Sequence, residues 1–332
     1  MSADDPRVRT LEAQVRACDR GGLARAITLV ESTLAEDRVR AAALLRLLHP
    51  QTGGAVRLGI SGVPGVGKST FIEALGLHLV AQGRRVAVLA VDPTSARSGG
   101  SILGDKTRMQ QLAHHPDAFI RPSPTQGSLG GVASSTRESL LLCEAAGFDV
   151  ILVETVGVGQ SEIMVSEMVD SFLVLMLANA GDELQGIKRG ILEMVDVLVI
   201  NKADGPQAAA AKLAAADYKR ALHLMPPSTP DWTVPVQTCS ALEKTGVEAV
   251  WEAVEAHRAH LVGAALLETR RQAQAEKSLH RILEIELGRM LRANASVAAE
   301  LAAQLDAVRS GQTTPRMAAI RVLEAFNGPR SG

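Results

Sequence analysis

The sequence predicts an α/β protein with a mostly parallel central sheet flanked by helices, and with helical extensions at both ends. Three observations support this prediction. Short apolar runs without polar alternation recur between residues 55 and 262, which is typical of parallel strands buried on both faces. Helical patterns separate these runs. A glycine-rich segment, GVPGVGKS, lies between the first apolar run and the first helical pattern, where an α/β sheet carries a ligand-binding turn.

The chain divides into three zones, which we expect to be domains. Residues 1–54 carry apolar residues at spacings of three and four and predict an N-terminal helical extension, broken at Gly21-Gly22. Residues 55–262 hold the alternating runs and predict the nucleotide-binding domain. Residues 263–332 predict a C-terminal helical arm, which Gly311 interrupts before Thr314-Pro315 begins the last helix.

The apolar runs of the middle zone predict six strands. Each run is short, solidly apolar and bounded by turn residues or by the start of a helical pattern. The predicted strands are residues 55–60, 85–91, 150–153, 172–177, 195–200 and 234–237.

The composition excludes several classes of partner. The chain has 35 basic and 36 acidic side chains, so it lacks the basic surplus of a nucleic-acid or anionic-membrane binder. No apolar run is long enough to span a bilayer, and the charged N-terminus is not a secretory signal. Three scattered cysteines without a CxxC pair predict reduced thiols. We therefore expect a cytoplasmic protein with no nucleic-acid and no membrane partner.

Residues 62–69 match the phosphate-loop pattern G-x-x-x-x-G-K-[ST] in the required context, between a strand and a helix. The glycines let backbone N–H groups point at an anion, and the helix N-terminus adds a positive dipole. Lys68 is expected to reach the β- and γ-phosphates, and the Ser69 hydroxyl to bind Mg²⁺. The predicted nucleotide-binding residues here are Gly62, Val63, Pro64, Gly65, Val66, Gly67, Lys68, Ser69 and Thr70. The fold class is thus a P-loop NTPase.

An N-K-x-D sequence predicts that the bound nucleotide carries guanine. Asn201-Lys202-Ala203-Asp204 follows directly on a predicted strand. The Asp204 carboxylate can accept two hydrogen bonds from guanine that adenine cannot offer. The Lys202 stem covers the base and Asn201 braces the loop. After the next strand, Ser240, Ala241 and Leu242 fit a backbone clamp on guanine.

Acids at the ends of two other strands are candidates for the magnesium site. Glu154 can hold Mg²⁺ through a water molecule; the alternative is that it is only a surface acid that follows a core strand. The N–H of Gly157 can donate a hydrogen bond to the γ-phosphate. Asp92 ends the second strand. It is a candidate for binding water that is coordinated to magnesium or for positioning the attacking water; the alternative is that it caps the N-terminus of a helix. A parallel strand at this point favours the all-parallel branch of GTPases, the SIMIBI type, which includes signal-recognition-particle and metal-insertion GTPases.

Two long segments resemble the MeaB/ArgK family of G-protein chaperones. They are SGGSILGDKTRM at 98–109 and ETVGVGQSE at 154–162, within a resemblance that covers about residues 20 to 325. The resemblance implies a homodimer formed through the C-terminal arm and association with adenosylcobalamin-dependent methylmalonyl-CoA mutase, with GTP hydrolysis coupled to cofactor loading and protection of the mutase. It also implies that Asp92, Asp105 and Glu154 are metal-site acids. GTP or GDP with Mg²⁺ is the implied ligand; adenosylcobalamin is expected only in the client enzyme.

The loop 178–188 leaves the carboxyl end of a predicted strand, where ligands of parallel sheets bind. The family resemblance makes this loop a nucleotide-responsive switch. Lys188 is therefore a candidate catalytic residue that reaches phosphate charge, with a solvated charged loop as the alternative. Val158 stands where Ras-type GTPases carry a water-orienting glutamine. Since valine cannot orient water, we expect slow intrinsic hydrolysis that a partner accelerates.

Three other functions compete with a regulatory GTPase. A nickel-delivery GTPase needs soft metal ligands near the nucleotide. The only adjacent histidines in the sequence are His114-His115, and no cysteine is near them, which disfavours this function. A kinase is disfavoured by N-K-x-D, and a protein-targeting GTPase needs a methionine-rich groove that nine scattered Met residues do not supply.

The C-terminal arm carries a stripe of leucines that repeat every four residues, Leu279, Leu283, Leu287 and Leu291. We expect this stripe to form the contact between two chains; the alternative is that it packs on the chain's own G domain.

Overall fold

A computed structural model describes residues 5–91, 109–122, 129–155, 161–178 and 189–327. Its contacts divide the chain into two compact units, Met1–Gln274 and Ala275–Gly332. The first unit contains the sheet and the helices that flank it, and the second contains most of the helical arm. The predicted domain boundaries at residues 54 and 262 stay predictions.

Within the described ranges the sheet has seven strands in the order β3-β2-β4-β1-β5-β6-β7, and all neighbouring strands are parallel. This confirms the predicted α/β fold with a parallel sheet. Six strands match the predicted runs within a few residues. The strands are β1 (Val56–Gly62), β2 (Val86–Val91), β3 (Ala118–Arg121), β4 (Val150–Thr155), β5 (Ser171–Leu177), β6 (Val197–Asn201) and β7 (Val236–Thr238).

Helices cover both faces of the sheet. The first unit contains α1 (Pro6–Arg16), α2 (Arg20–Glu31), α3 (Ala35–Leu48), α4 (Lys68–Ala81), α5 (Gln110–His114), α6 (Leu129–Ala145), α7 (Ser161–Ser166), α8 (Arg189–Leu192), α9 (Ala208–His223), α10 (Val247–Gly263) and the start of α11 (Leu266–Ala293). One apolar cluster joins the N-terminal helices, α6, α7 and α9 to one face. A second cluster joins α4, α5 and α10 to the other face. Burial on both faces explains why the strand sequences are solidly apolar.

The N-terminal extension is helical as predicted, but the predicted break at Gly21-Gly22 is wrong. Both glycines lie in the first turn of α2. The Asp19 side chain caps this helix and accepts hydrogen bonds from the N–H groups of Gly21 at 3.1 Å and Gly22 at 2.9 Å. The chain instead turns just before, at Cys18, whose φ is 59°. Glycine is tolerated in a first turn because the cap stabilises it.

The second unit contains the rest of α11, then α12 (Ala295–Arg309) and α13 (Pro315–Asn327), which contact each other. The predicted interruption near Gly311 and the helix start at Pro315 are present. A further break was not predicted: α11 ends before Asn294, whose side chain accepts hydrogen bonds from Ser296 and Val297 and caps α12. None of the helices in the described part of the chain is long and apolar enough to cross a membrane.

Candidate nucleotide-binding site

The phosphate loop connects the end of β1 to the first residue of α4, as the sequence predicts. Gly62, Gly65 and Gly67 adopt φ values of 153°, 78° and 94°, which side chains rarely allow. At Gly62 a Cβ atom would lie 2.5 Å from the Leu175 carbonyl oxygen on β5. The loop therefore requires glycine at this position because the neighbouring strand backbone occupies the space of a side chain.

The structure brings the N-K-x-D segment against the phosphate loop. The Asn201 side-chain amide donates a hydrogen bond to the Val66 carbonyl at 2.8 Å. The Lys202 ammonium donates to the Gly65 carbonyl at 2.7 Å, across 137 residues of sequence. These two hydrogen bonds occupy the carbonyl groups of Gly65 and Val66 in the phosphate loop. Two separate motifs thus form one site.

The segment after β7 completes this side of the site. The Asn201 carboxamide oxygen accepts a hydrogen bond from the Ala241 N–H at 3.2 Å. Ser240 pairs with Thr245 through two backbone hydrogen bonds of 3.0 and 3.1 Å, so the turn that carries Ala241 is closed. Leu242 is exposed and Asp204 is half-buried. The residues predicted to recognise guanine therefore lie on two neighbouring loops, joined through Asn201.

Lys68, in the first turn of α4, lies at the centre of the phosphate loop. Its ammonium donates hydrogen bonds to the carbonyls of Gly62 at 2.8 Å and Val63 at 3.3 Å. Burial lowers the pKa of Lys68, and the nearby carboxylates Glu154 and Glu162 oppose this effect by stabilising the charged form. The ammonium is thus half-desolvated and directed at the place where phosphate oxygens bind a P-loop lysine.

Ser69 and Glu154 form the described part of the predicted magnesium site. The Ser69 hydroxyl donates a hydrogen bond to Glu154 Oε1 at 3.3 Å, and Glu154 is 8% exposed. Register pairs Ile60 of β1 with Glu154 of β4, which places the acid beside the phosphate loop. A hydroxyl and a carboxylate are the hard oxygen donors that Mg²⁺ prefers, usually with phosphate oxygens and water as its other ligands. These residues therefore fit the ion.

Four predicted site residues lie outside the described residues: Asp92, Asp105, Gly157 and Lys188. The described positions contain no group of three or more His, Cys, Asp and Glu side chains that could hold a metal ion. The roles of these four residues therefore stay predictions, as does the loop 178–188 as a switch. The remaining predicted residues lie in three places: in the phosphate loop and the first turn of α4, which include Pro64 and Thr70; at Glu154 of β4; and at or just after the ends of β6 and β7.

Sequence reasoning missed one acid of this site. Glu162 occupies the first turn of α7, is 1% exposed and acts electrostatically on Lys68. Its sequence signal is weak, because an acid in the first turn of a helix is common on protein surfaces. Only its burial beside the phosphate loop distinguishes it.

Comparisons with known proteins agree with this geometry. A family model described as methylmalonyl Co-A mutase-associated GTPase MeaB matches residues 23–296. A probable GTPase of Mycobacterium tuberculosis is 52% identical over 326 residues, 98% of this chain and 97% of the relative. GTPase ArgK of Escherichia coli is 45% identical over 313 residues, 94% of each chain. A crystal structure described as LAO/AO transport system kinase is similar with a TM-score of 0.76 and 37% identity, covering 98% of this chain and 99% of the other.

Proposed function

The chain belongs to the MeaB family of methylmalonyl-CoA mutase-associated GTPases, and we propose that it is a Mg²⁺-dependent GTPase that acts as a chaperone of that mutase. The observation that carries the nucleotide part is the contact between two motifs. Asn201 and Lys202 of the N-K-x-D segment hold the phosphate loop directly, at 2.8 and 2.7 Å. This contact supports a single site in which guanine recognition and phosphate binding are combined.

Each residue of the site has a distinct task in this proposal. The loop amides and Lys68 bind the β- and γ-phosphates, and Lys68 stabilises the negative charge that develops on transfer to water. Ser69 and Glu154 hold Mg²⁺, which when bound neutralises phosphate charge. Asp204 accepts hydrogen bonds from guanine. Asp92, Asp105, Gly157 and Lys188 are proposed to complete the metal and γ-phosphate contacts.

The test of this assignment is nucleotide selectivity. Wild-type protein is expected to bind GTP and GDP at least about 100-fold more tightly than ATP, because adenine lacks the pair of donors that the Asp204 carboxylate accepts from guanine. Asp204→Asn is expected to weaken GTP binding about 100-fold or more, since two charge-assisted hydrogen bonds are lost. Asp217→Asn, an exposed acid on α9, is the matched control. Equal ATP and GTP affinities, or unchanged selectivity in Asp204→Asn, refute the assignment.

We further propose that intrinsic hydrolysis is slow and that the mutase accelerates it. The support is the valine at position 158, which stands where a water-orienting glutamine would be. In this proposal GTP hydrolysis gates loading of adenosylcobalamin into the mutase and protects that enzyme, and the cofactor belongs to the client alone. Phosphate release with and without the mutase is the measurement. Turnover of tens per second by the isolated chain, or transfer of phosphate to an acceptor other than water, contradicts it.

We propose that the arm forms a homodimer. Four apolar side chains of α11 are about half exposed: Leu279 at 56%, Leu283 at 48%, Leu287 at 53% and Met290 at 57%. An apolar stripe of this kind favours an isologous contact with a second copy. Leu283→Glu with Leu287→Glu is expected to give a monomer by light scattering at micromolar concentration. Leu224→Glu, at a leucine 86% exposed outside the arm, is the control that leaves the oligomeric state unchanged.

A further inference from the structure

A second buried carboxylate lies beside Lys68, in addition to Glu154. Glu162 is 1% exposed, and its Oε2 receives one long hydrogen bond of 3.3 Å from the Ser161 hydroxyl. Its Oε1 has no hydrogen-bond partner among the described residues. Glu154 is bonded to Ser69, the residue after Lys68, and α7, which carries Glu162, packs against β1 and β4 at the strand that leads into the phosphate loop. Both acids also act on the charge of the Lys68 ammonium. The site therefore contains two carboxylates around a single phosphate-binding lysine.

Two other buried acids in the described part of the chain, Glu144 and Asp170, are fully paired, and Glu162 is not. Glu144 receives two hydrogen bonds from Arg57, each 2.9 Å, and a third from the Gly53 N–H at 2.9 Å. Asp170 receives two from Arg271, at 2.8 and 2.7 Å. A buried carboxylate oxygen without a donor is costly, on the order of 1–3 kcal/mol or more. Such a group in a nucleotide site is explained when its partner arrives with the ligand.

The charge of the site indicates which partner this is. A triphosphate carries several negative charges, and two buried carboxylates repel it unless a cation stands between them. Glu154 is already bonded to Ser69, the predicted magnesium ligand. Magnesium keeps several water molecules when it binds phosphate, and those waters are hydrogen-bond donors. A carboxylate with an unused oxygen near the phosphates is suited to accept from them.

We propose that Glu162 is a second carboxylate of the magnesium–phosphate site, where it accepts hydrogen bonds from the hydration shell of the ion and makes nucleotide affinity depend on Mg²⁺. This inference rests on the proposed GTP site and adds a residue to it. The negative charge of Glu162 weakens binding of the free triphosphate and strengthens binding of the magnesium complex.

The test is the gain in affinity that Mg²⁺ gives, measured by titrating a fluorescent non-hydrolysable GTP analogue with excess Mg²⁺ and with EDTA. Glu162→Gln keeps the shape of the side chain and removes its charge. It is expected to bind the metal-free analogue more tightly and the magnesium complex more weakly, so that the ratio of the two affinities falls about tenfold, as expected for one charge at close range. Glu167→Gln, the same charge change in the residue after α7, is expected to keep the wild-type ratio.

Glu162→Asp separates charge from packing, because it keeps the carboxylate and shortens the side chain. In Glu162→Asp the ratio of affinities with and without Mg²⁺ is expected to stay within about threefold of the wild-type ratio, whereas in Glu162→Gln it falls about tenfold. An unchanged ratio in Glu162→Gln overturns the inference and leaves the GTP site standing, as does an equal loss in Asp and Gln. Failure of the wild-type protein to bind the analogue in either condition refutes the proposed function itself. Circular dichroism establishes that each variant is folded. If Glu162→Gln does not fold, the ratio of affinities with and without Mg²⁺ in Glu162→Asp decides, and a tenfold fall of that ratio overturns the inference.

Discussion

Acidification from pH 7 to pH 5 is expected to destabilise the chain through His257 on α10. This residue is 0% exposed. Its Nδ1 lies 2.7 Å from the Ser171 hydroxyl, and its Nε2 lies 3.2 Å from the Thr229 hydroxyl and 3.3 Å from the Asp196 carboxylate. The pKa of His257 is lowered from 6.5 to about 4: burial is the largest cause, the attraction of Asp196 opposes it, and the nearby Arg270 contributes a smaller lowering.

The sign and size of the effect follow from this pKa. The unfolded chain takes up a proton near pH 6.5, whereas the folded chain does so only near pH 4. Between these values the unfolded state binds more protons, so the contribution of His257 to stability is full above pH 6.5 and is lost as the pH falls towards 4. The whole shift corresponds to about 3 kcal/mol, of which about 2 kcal/mol is lost between pH 7 and pH 5.

The measurement is urea unfolding at pH 7, 6 and 5, for wild type and for His257→Gln. Other groups also titrate in this range, so the informative quantity is the difference between the two proteins. Glutamine can keep a hydrogen bond to Ser171 but does not titrate. We expect His257→Gln to be less stable at pH 7 and the gap to narrow by about 2 kcal/mol at pH 5.

A gap that stays constant with pH refutes this reasoning. So does a direct NMR titration of wild-type His257 that gives a pKa of 6 or higher. The NMR experiment does not depend on a variant, so it decides the matter even if glutamine is not tolerated at this buried position.

Three further predictions concern the loop, the core and the arm. Gly62→Ala is expected to weaken GTP binding at least about 100-fold by calorimetry, because its Cβ would lie 2.5 Å from the Leu175 carbonyl at a φ that costs about 1–3 kcal/mol. Arg57→Met is expected to lower the free energy of unfolding by about 3–5 kcal/mol, since it leaves Glu144 charged and buried. Adding Glu144→Leu to that variant should recover most of the loss. Asn294→Ala is expected to lower the free energy of unfolding of the arm by about 1 kcal/mol in thermal denaturation, because the side chain that caps α12 is lost.

The strands could be predicted wherever burial on both faces removed every polar residue from a run. Ala118–Arg121 could not, because β3 is an edge strand of four residues that ends in arginine. Its register with Val86 of β2 is set by pairing across the sheet, which leaves no local pattern. The order of the strands in the sheet could not be predicted either, since β4 lies between β1 and β2 although it follows both in sequence.

The site was predictable where a backbone conformation demands particular residues. Glycines at 62 and 67 and the lysine between loop and helix follow from the geometry of anion binding, so the pattern alone located them. The contact of Lys202 with the Gly65 carbonyl depends on how β6 is placed relative to β1, and the sequence does not specify it. Glu162 was missed for the same reason: its burial is a property of packing around α7.

Two elements connect the phosphate site to the first turns of α11. Helix α7 carries Glu162 in its first turn, and it is roughly 9 Å long. At its other end the Gln274 side chain of α11 donates hydrogen bonds to the carbonyls of Val169 at 2.8 Å and Ser166 at 3.4 Å. The start of the arm helix is therefore bonded to the same short helix that carries an acid of the site.

Strand β5 makes the second connection. Asp170, immediately before the strand, binds Arg271 of α11 through both carboxylate oxygens and also accepts from the Arg57 N–H at 3.0 Å. Near the end of the strand, the Leu175 carbonyl excludes any side chain from Gly62. Each element thus has one end near the phosphate loop and the other at contacts with α11, which are amide–carbonyl hydrogen bonds for α7 and an ion pair for β5. Because close-packed interiors transmit strain, a displacement of α7 or β5 on nucleotide binding would reach the first turns of α11 through these contacts.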